Sequence, residues 1–285
     1  MTAALWMAGW LALMLVMVVA GREAMRELNV FELMELRCLI GLVLLSPVIA
    51  LSGGFAKLRT ARLTLHVVRN LIHYGAQLGW FLALTLIPLG QVVAIEFTMP
   101  IWTATFLGER ITFSKLIAIV LGLVGVVVIV LPDAGAVNPG QLIALAAAVG
   151  FGVSVALVKI LTRTEPTASI IFWMLAVQAT AGLAPSIAMW AWPSATAWGS
   201  IVVVALAGTF SHSCMARALL YADTTVVVPM DFLRVPLTAT VGWLVYSERL
   251  DGFTLVGAAL ILAGNLLNLR PAPARPVPLS RSAGT

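Results

Sequence analysis

Two acidic residues lie deep inside long apolar stretches of this chain, and each is followed by a phenylalanine: Glu96-Phe97 and Asp231-Phe232. Arg234 follows the second pair. A carboxylate in apolar surroundings is costly unless it meets a cation, water or a proton. These acids can therefore bind the amino group of a ligand or take up a proton, and the guanidinium of Arg234 can receive a carboxylate. Alternatively, Asp231 and Arg234 neutralise each other on one helix face.

A second group of polar and aromatic residues is spaced to share one helix face: His73, Gln77 and Trp80. A stripe of this kind can bind a ligand through polar and aromatic groups, and His212 joins it because the internal repeat places it opposite Gln77. Such residues also tie helices together by hydrogen bonds. The three histidines, which include His66, have no metal-ligand spacing, so we expect no metal and no cofactor.

The composition determines what kind of elements must carry these residues. Of the 285 residues, 61% are hydrophobic and only 10% are charged, and the mean hydropathy is +1.04. A soluble globule normally has about a quarter of its positions charged, so the composition indicates a membrane protein. The net charge is +5, but the basic residues lie in short loops between apolar runs, and no nucleic-acid partner is indicated.

Apolar runs of the length needed to cross about 30 Å of hydrocarbon recur along the chain. We predict ten transmembrane helices, at about residues 2–20, 31–51, 66–87, 89–107, 113–131, 141–161, 168–190, 198–217, 223–246 and 253–269. The first run has no basic segment before it and is long for a signal peptide, so we interpret it as a retained helix. The protein is thus expected to be an all-α protein of the cell inner membrane, with the lipid bilayer as a partner.

The distribution of basic residues predicts the orientation, because basic residues collect on the cytoplasmic side. With a cytoplasmic N-terminus, ten basic residues fall in the inner loops and the tail, and three fall outside. The outer set is Arg22, Arg26 and Arg249; the inner set is Lys57, Arg59, Arg62, Arg110, Lys115, Lys159, Arg163, Arg270, Arg275 and Arg281. Both termini are therefore predicted to be cytoplasmic. The proline-rich residues 271–285 cannot continue a helix and are expected to form a disordered tail.

An internal repeat links the candidate residues. Residues 73–97 align without gaps with residues 208–232, which places Glu96 opposite Asp231. Five helices is an odd number, so the second copy must enter the membrane from the opposite face. The chain is predicted to consist of two inverted five-helix repeats, at 1–135 and 136–270, and such repeats place a shared site between them.

Two further motifs close the fourth helix of each repeat. Glu109-Arg110 ends it in the first half, and Glu248-Arg249 ends it in the second, with Pro100 or Pro236 shortly after the acidic-Phe pair. The distance along the chain from the acidic-Phe pair to Glu-Arg is shorter in the first half. The fourth helix is therefore predicted to be about one turn shorter than its counterpart.

With these motifs, and with the Gly-rich helices that follow each Glu-Arg pair, nearly the whole chain resembles the drug/metabolite transporter superfamily and its ten-helix EamA-type exporters. The resemblance implies a solute carrier, often an exporter of amino acids or other metabolites. It also implies a central cavity lined mainly by the third, fourth, eighth and ninth spans. The shortened fourth helix departs from the usual pattern and could narrow that cavity or impair transport.

The sequence favours transport over catalysis, because it contains no recognised hydrolase, protease or nucleotide-binding motif. We predict a secondary transporter that moves small metabolites by alternating access, with export the expected direction. Coupling is expected either to protons or to the gradient of the substrate itself. Two alternatives stay open: an importer of a vitamin or nucleoside-like metabolite, and a membrane scaffold or receptor that transports nothing. The sequence does not specify an oligomeric state.

Overall fold

The computed structural model describes residues 2–51, 54, 58–107, 113–130, 138–221, 230–231, 233–249 and 251–268. Within these residues the chain is helical, and the predicted tail lies outside them. The helices are α1 (Thr2–Ala24), α2 (Val30–Leu51), α3 (Leu63–Leu86), α4 (Leu89–Glu96), α5 (Met99–Phe106), α6 (Phe113–Val130), α7 (Pro139–Leu161), α8 (Thr167–Ala188), α9 (Ala195–Tyr221), α10 (Arg234–Tyr246) and α11 (Gly252–Asn268).

Four of these helices are long and apolar enough, by length and composition, to cross a membrane: α1, α2, α7 and α8. Shorter apolar helical stretches cover residues 119–129, 195–211 and 252–267. The all-helical membrane fold is confirmed, whereas the count of ten spans stays a prediction.

The helices pack in pairs that join the first half of the chain to the second. The extensive pairs include α1 with α9, α3 with α7, α2 with α8, α6 with α11 and α4 with α10. In the predicted repeat, α1 corresponds to α7 and α3 corresponds to α9. The α1–α9 contact and the α7–α3 contact are therefore equivalent to each other. The other three pairs are each formed by corresponding helices. The packing therefore has the two-fold character expected of inverted repeats.

The contact between α6 and α11 depends on two glycines that face each other. A Cβ atom at Gly257 would lie 2.5 Å from the carbonyl oxygen of Gly125, and a Cβ atom at Gly125 would lie 2.6 Å from that of Gly257. Only the absence of both side chains lets the two backbones approach so closely, as small residues do between membrane helices.

We expect Gly257→Leu to destabilise the protein by roughly 1–3 kcal/mol or more, because the added side chain must separate α6 from α11. Gly252→Leu is the matched control, since a Cβ atom at Gly252 would have no neighbour within 4 Å. The midpoint of thermal unfolding, followed by size-exclusion chromatography after heating in detergent, checks this. Equal midpoints for the two variants would contradict the close helix contact.

The predicted fourth span is interrupted in its middle. Instead of one helix over 89–107, the chain forms α4 and α5, with Phe97 and Thr98 between them. Pro100 is the second residue of α5 and has no N–H to donate to the carbonyl of Glu96, so the helical hydrogen-bond ladder ends there. One residue further on, the carbonyl of Phe97 accepts a hydrogen bond from Nδ2 of Asn265 in α11, at 2.6 Å. The break thus places Glu96 at a helix end.

Candidate functional site

Arg234 lies at the centre of the candidate site, with a side chain that is only 4% exposed. Its Nη2 donates a hydrogen bond to Oε1 of Glu96 at 3.0 Å, and its Nε lies 3.6 Å from Oδ1 of Asp231. The structure therefore brings together the three charged residues that the sequence singled out. One acid comes from the first half of the chain and the other from the second. Asp231 and Arg234 form the ion pair that the sequence offered as the alternative to ligand binding. Arg234 also forms an ion pair with Glu96.

Aromatic side chains enclose this ion pair. Nε1 of Trp80 in α3 donates to Oε2 of Glu96 at 2.8 Å, and Nε1 of Trp10 in α1 donates to Oδ1 of Asp231 at 2.6 Å. The guanidinium of Arg234 lies 4.9 Å from the ring centroid of Phe97, a cation–π distance. We call this group the Arg234 cluster; its members are Trp10, Trp80, Glu96, Phe97, Asp231 and Arg234.

The charges of the Arg234 cluster do not balance. Two carboxylates share one guanidinium, so the cluster carries one net negative charge when all three groups are ionised. Nη1 of Arg234 has no hydrogen-bond partner among the described residues, although it is buried. The cluster can therefore attract a cationic group through its excess carboxylate and still offer an unused donor to an acceptor atom of the same ligand.

The other predicted site residues face different neighbours. His73 pairs through Nδ1 with Oγ of Ser154 at 3.1 Å and lies against the ring of Phe151, both in α7. Oε1 of Gln77 accepts a hydrogen bond from Arg37 in α2 at 3.0 Å. The side chain of His212 lies outside the described residues. Of the predicted stripe, Trp80 belongs to the Arg234 cluster through its hydrogen bond to Glu96, and the binding roles of His73, Gln77 and His212 stay predictions.

Arg37 behaves differently from what its position in the sequence suggests. It follows Glu32 and Glu35 on α2, near enough along the chain for a local ion pair. Instead its side chain is buried, and Nη2 donates to amide oxygens of Gln77 and of Gln178 in α8, the latter at 2.9 Å. Among the ion pairs of the described residues, none joins Arg37 to either glutamate. Neutral amides of α3 and α8 therefore hold this guanidinium in place.

Two contributors were missed at the level of sequence. Trp10 is one of several tryptophans in apolar runs, and nothing in its spacing relates it to Asp231, which is 221 residues away. Asn265 is more conspicuous, because a lone amide inside the apolar helix α11 needs a partner. Its partner is the carbonyl freed at the break between α4 and α5. A search for single polar residues in apolar runs would have found it.

A polar network joins the two halves at one end of the bundle, which we call the Glu248 end and define by Arg22, Leu89, Tyr246 and Glu248. Glu248 forms an ion pair with Arg22 of α1, and its Oε2 accepts the backbone N–H of Leu89, the first residue of α4, at 2.9 Å. The hydroxyl of Tyr246 donates to Glu23 at 2.8 Å. These contacts hold α1, α4 and α10 together.

A cavity of about 190 Å³ lies at the same end, between α4, α10 and α11. Its polar lining includes Gln91, Glu248, Asp251 and Thr254. Burial raises the pKa of Asp251, but hydrogen bonds from the hydroxyl and backbone N–H of Thr254 outweigh it and hold the pKa below its ordinary value. The cavity is smaller than the roughly 300–1,000 Å³ usual for metabolite sites and does not include the Arg234 cluster, so we do not regard it as the solute site.

The all-helical fold, with a charged cluster that joins the two halves of the chain, is that of a multi-pass membrane protein. The chain belongs to the EamA-like transporter family, whose model matches residues 1–131 and 138–270. The resemblance noted in the sequence is thereby confirmed. Members of this family are transporters rather than enzymes, and this chain is an EamA-type transporter of small metabolites.

Similar proteins carry several different cargoes. A riboflavin transporter of Brucella anthropi is 32% identical over 81% of this chain and 84% of its own length. An S-adenosylmethionine uptake transporter of Rickettsia prowazekii is 27% identical over 84% and 83%. A pseudopaline exporter of Pseudomonas aeruginosa is 25% identical over 85% and 86%. A solved crystal structure shares the fold, with a TM-score of 0.65 at 22% identity and coverage of 94% of this chain and 96% of the other.

Proposed function

We propose that this protein binds a small metabolite at the Arg234 cluster and carries it across the inner membrane by alternating access, with both termini in the cytoplasm. The observation that carries the proposal is the placement of Glu96, Asp231 and Arg234. They come from both halves and meet where the fourth span is broken, which is where inverted-repeat carriers form their sites. Movement of one half against the other would remake these contacts around a solute.

The cluster favours a solute with a cationic nitrogen and a planar ring system. Its net negative charge attracts the cation, and the three aromatic side chains offer stacking surface. Riboflavin and S-adenosylmethionine, the cargoes named for two relatives, both contain a fused heteroaromatic ring system, and the second is also cationic. We therefore propose a heteroaromatic metabolite with a cationic amino or sulfonium group as the preferred cargo, and amino acids as the second candidate.

We propose that transport can run in either direction, with the gradients deciding which one dominates. Relatives of similar coverage include an uptake transporter and an exporter, which supports a scaffold that is not committed to one direction. The expectation of export from the sequence stays a prediction under this proposal.

Exchange assays with purified protein test the proposal. Proteoliposomes loaded with unlabelled S-adenosylmethionine, riboflavin or an aromatic amino acid are diluted into the corresponding labelled solute at equal pH. We expect exchange of at least one of them, well above empty liposomes. Metabolite pools inside and outside cells with and without the protein provide a second, unbiased readout. Failure to exchange any of these solutes, with unchanged pools in cells, would overturn the proposal.

Alternating access requires that one end of the bundle be closed while the other is open. The contacts of Glu248 with Arg22 and Leu89 support the view that the Glu248 end, predicted to face outward, is closed in this conformation. These contacts must break when that end opens.

We expect Glu248→Gln to raise opening of the Glu248 end several-fold, because the ion pair with Arg22 stabilises only the closed state. The measurement is the labelling rate of a cysteine placed at Ala239, which lines the cavity, by a membrane-impermeant maleimide. The background lacks Cys38 and Cys214. Glu27→Gln serves as the matched control, since Glu27 is exposed and hydrogen-bonds Ser194 instead. Equal labelling rates in the two variants would argue against a closing role.

A further inference from the structure

Glu35 is a buried carboxylate that the proposed solute site does not use. It is the sixth residue of α2, which places it about 8 Å along the helix from its first residue, inside the predicted span. The residue is only 2% exposed, and none of the described residues donates a hydrogen bond to its Oε2. A buried carboxylate without a donor is expensive when ionised, and binding a proton removes that cost.

The surroundings of Glu35 are formed by both halves of the chain. A Cβ atom at Gly182 of α8 would lie 2.8 Å from Oε2 of Glu35 and 2.6 Å from the hydroxyl oxygen of Tyr74 in α3. The Tyr74 hydroxyl is buried and, among the described residues, also lacks a hydrogen-bond partner. Two unsatisfied oxygens therefore lie on either side of one glycine, close enough for one bridging water.

The other titratable and charged groups near Glu35 are Glu32, Arg37 and Cys38 on α2 and Tyr74 on α3; α8 contributes the neutral Gln178 and Gly182. Arg37 donates its hydrogen bonds to Gln77 and Gln178. Its positive charge therefore lies near Glu35 without forming an ion pair with it in the described structure. Such a charge makes it possible for the carboxyl to release a proton as well as to bind one.

Glu32, one turn earlier on the same helix, differs from Glu35 because it accepts hydrogen bonds. It is fully buried and its Oε1 has no donor among the described residues, but its Oε2 accepts hydrogen bonds from Nδ2 of Asn29 and from the backbone N–H of Ala191, both at 3.3 Å. The two carboxylates of the Arg234 cluster likewise have partners. Among these four acids, Glu35 is the one that accepts no hydrogen bond from the described residues, and its Oε2 lies near another unsatisfied oxygen.

We propose that Glu35 binds the coupling proton of this carrier, at a site separate from the Arg234 cluster. The proton comes from water on one side of the membrane and forms an O–H bond with the carboxylate. It is released to water on the other side after α2 and α8 have moved relative to each other, so that one proton crosses per cycle. This inference rests on the proposed transport function and adds the identity of the coupling residue to it.

Transport measurements distinguish proton coupling from the transport of the solute itself. In proteoliposomes that exchange a labelled solute, we expect Glu35→Gln to reduce accumulation driven by a pH gradient at least ten-fold, while exchange at equal pH stays within about two-fold of wild type. Glu32→Gln should keep both activities, and Glu35→Asp, which retains a carboxyl, should keep part of the accumulation. Accumulation by Glu35→Gln at the wild-type level would overturn the proposal.

Infrared spectroscopy of the purified protein decides the same question without any solute. We expect a protonated-carboxyl band that changes with pH, is missing in Glu35→Gln and persists in Glu32→Gln and Glu96→Gln. A spectrum in which Glu35→Gln leaves every pH-dependent carboxyl band unchanged would overturn the assignment. If wild-type protein moves no solute but the band behaves as expected, the transport proposal fails while Glu35 remains a proton-binding residue.

Discussion

Arg234→Met is expected to lower the yield of folded protein sharply and to reduce the midpoint of thermal unfolding by on the order of 10 °C. The substitution leaves the half-buried carboxylates of Glu96 and Asp231 close together with no cation between them. Removing one partner of a buried ion pair costs roughly 3–5 kcal/mol, because the remaining charge is uncompensated. The measurement is the monodisperse fraction in detergent and its thermal midpoint.

Two further variants show whether charge is the cause of this loss. Arg26→Met is the matched control, since the side chain of Arg26 is 65% exposed and forms its ion pair, with Glu23, at the surface. The triple variant Arg234→Met, Glu96→Gln, Asp231→Asn removes all three charges and should recover most of the folded protein while remaining unable to transport. If Arg234→Met is as stable as Arg26→Met, the ion pair contributes little and the description of the cluster is wrong.

The second large effect is expected on transport, with the fold left intact. Glu96→Gln removes the excess negative charge, but Arg234 keeps Asp231 as its partner, and the amide oxygen of the new side chain can still accept from Trp80. A charge-assisted hydrogen bond contributes roughly 1.5–3 kcal/mol, and each 1.4 kcal/mol corresponds to a factor of ten. We therefore expect solute exchange to fall roughly 10- to 100-fold.

Solute exchange at equal pH, normalised to folded protein, measures this effect. Glu27→Gln makes the same chemical change at an exposed position outside the cluster and should exchange at the wild-type rate. A Glu96→Gln variant that exchanges solute as fast as Glu27→Gln would show that the carboxylate of Glu96 does not contribute to solute transport.

Much of the fold could be predicted from the sequence, because membrane helices must be apolar for most of their length. The run at 66–87 corresponds to α3 (Leu63–Leu86), and the run at 141–161 to α7 (Pro139–Leu161). The break after Glu96 was not predicted. Hydropathy stays high through residues 97 and 98, whereas the break results from a missing N–H at Pro100, which hydropathy does not measure.

The candidate site was predicted in part, for a reason that is also physical. The internal repeat relates Glu96 to Asp231 and predicts that corresponding positions of the two halves meet, and both acids contact Arg234. Helical spacing placed His73, Gln77 and Trp80 on one face. Each of them nevertheless contacts a different helix: His73 contacts α7, Gln77 contacts α2 and Trp80 contacts α4. Spacing determines the face of a helix and not its neighbours, which is also why Trp10 was missed.

A structure determined with a transported solute bound tests the central claim most directly. We predict that the solute lies against the Arg234 cluster, with its cationic group beside Glu96 or Asp231 and an acceptor atom at Nη1 of Arg234. A solute bound elsewhere, with Glu96, Asp231, Trp10 and Trp80 still holding their present contacts, would show that the cluster serves only to hold the two halves together.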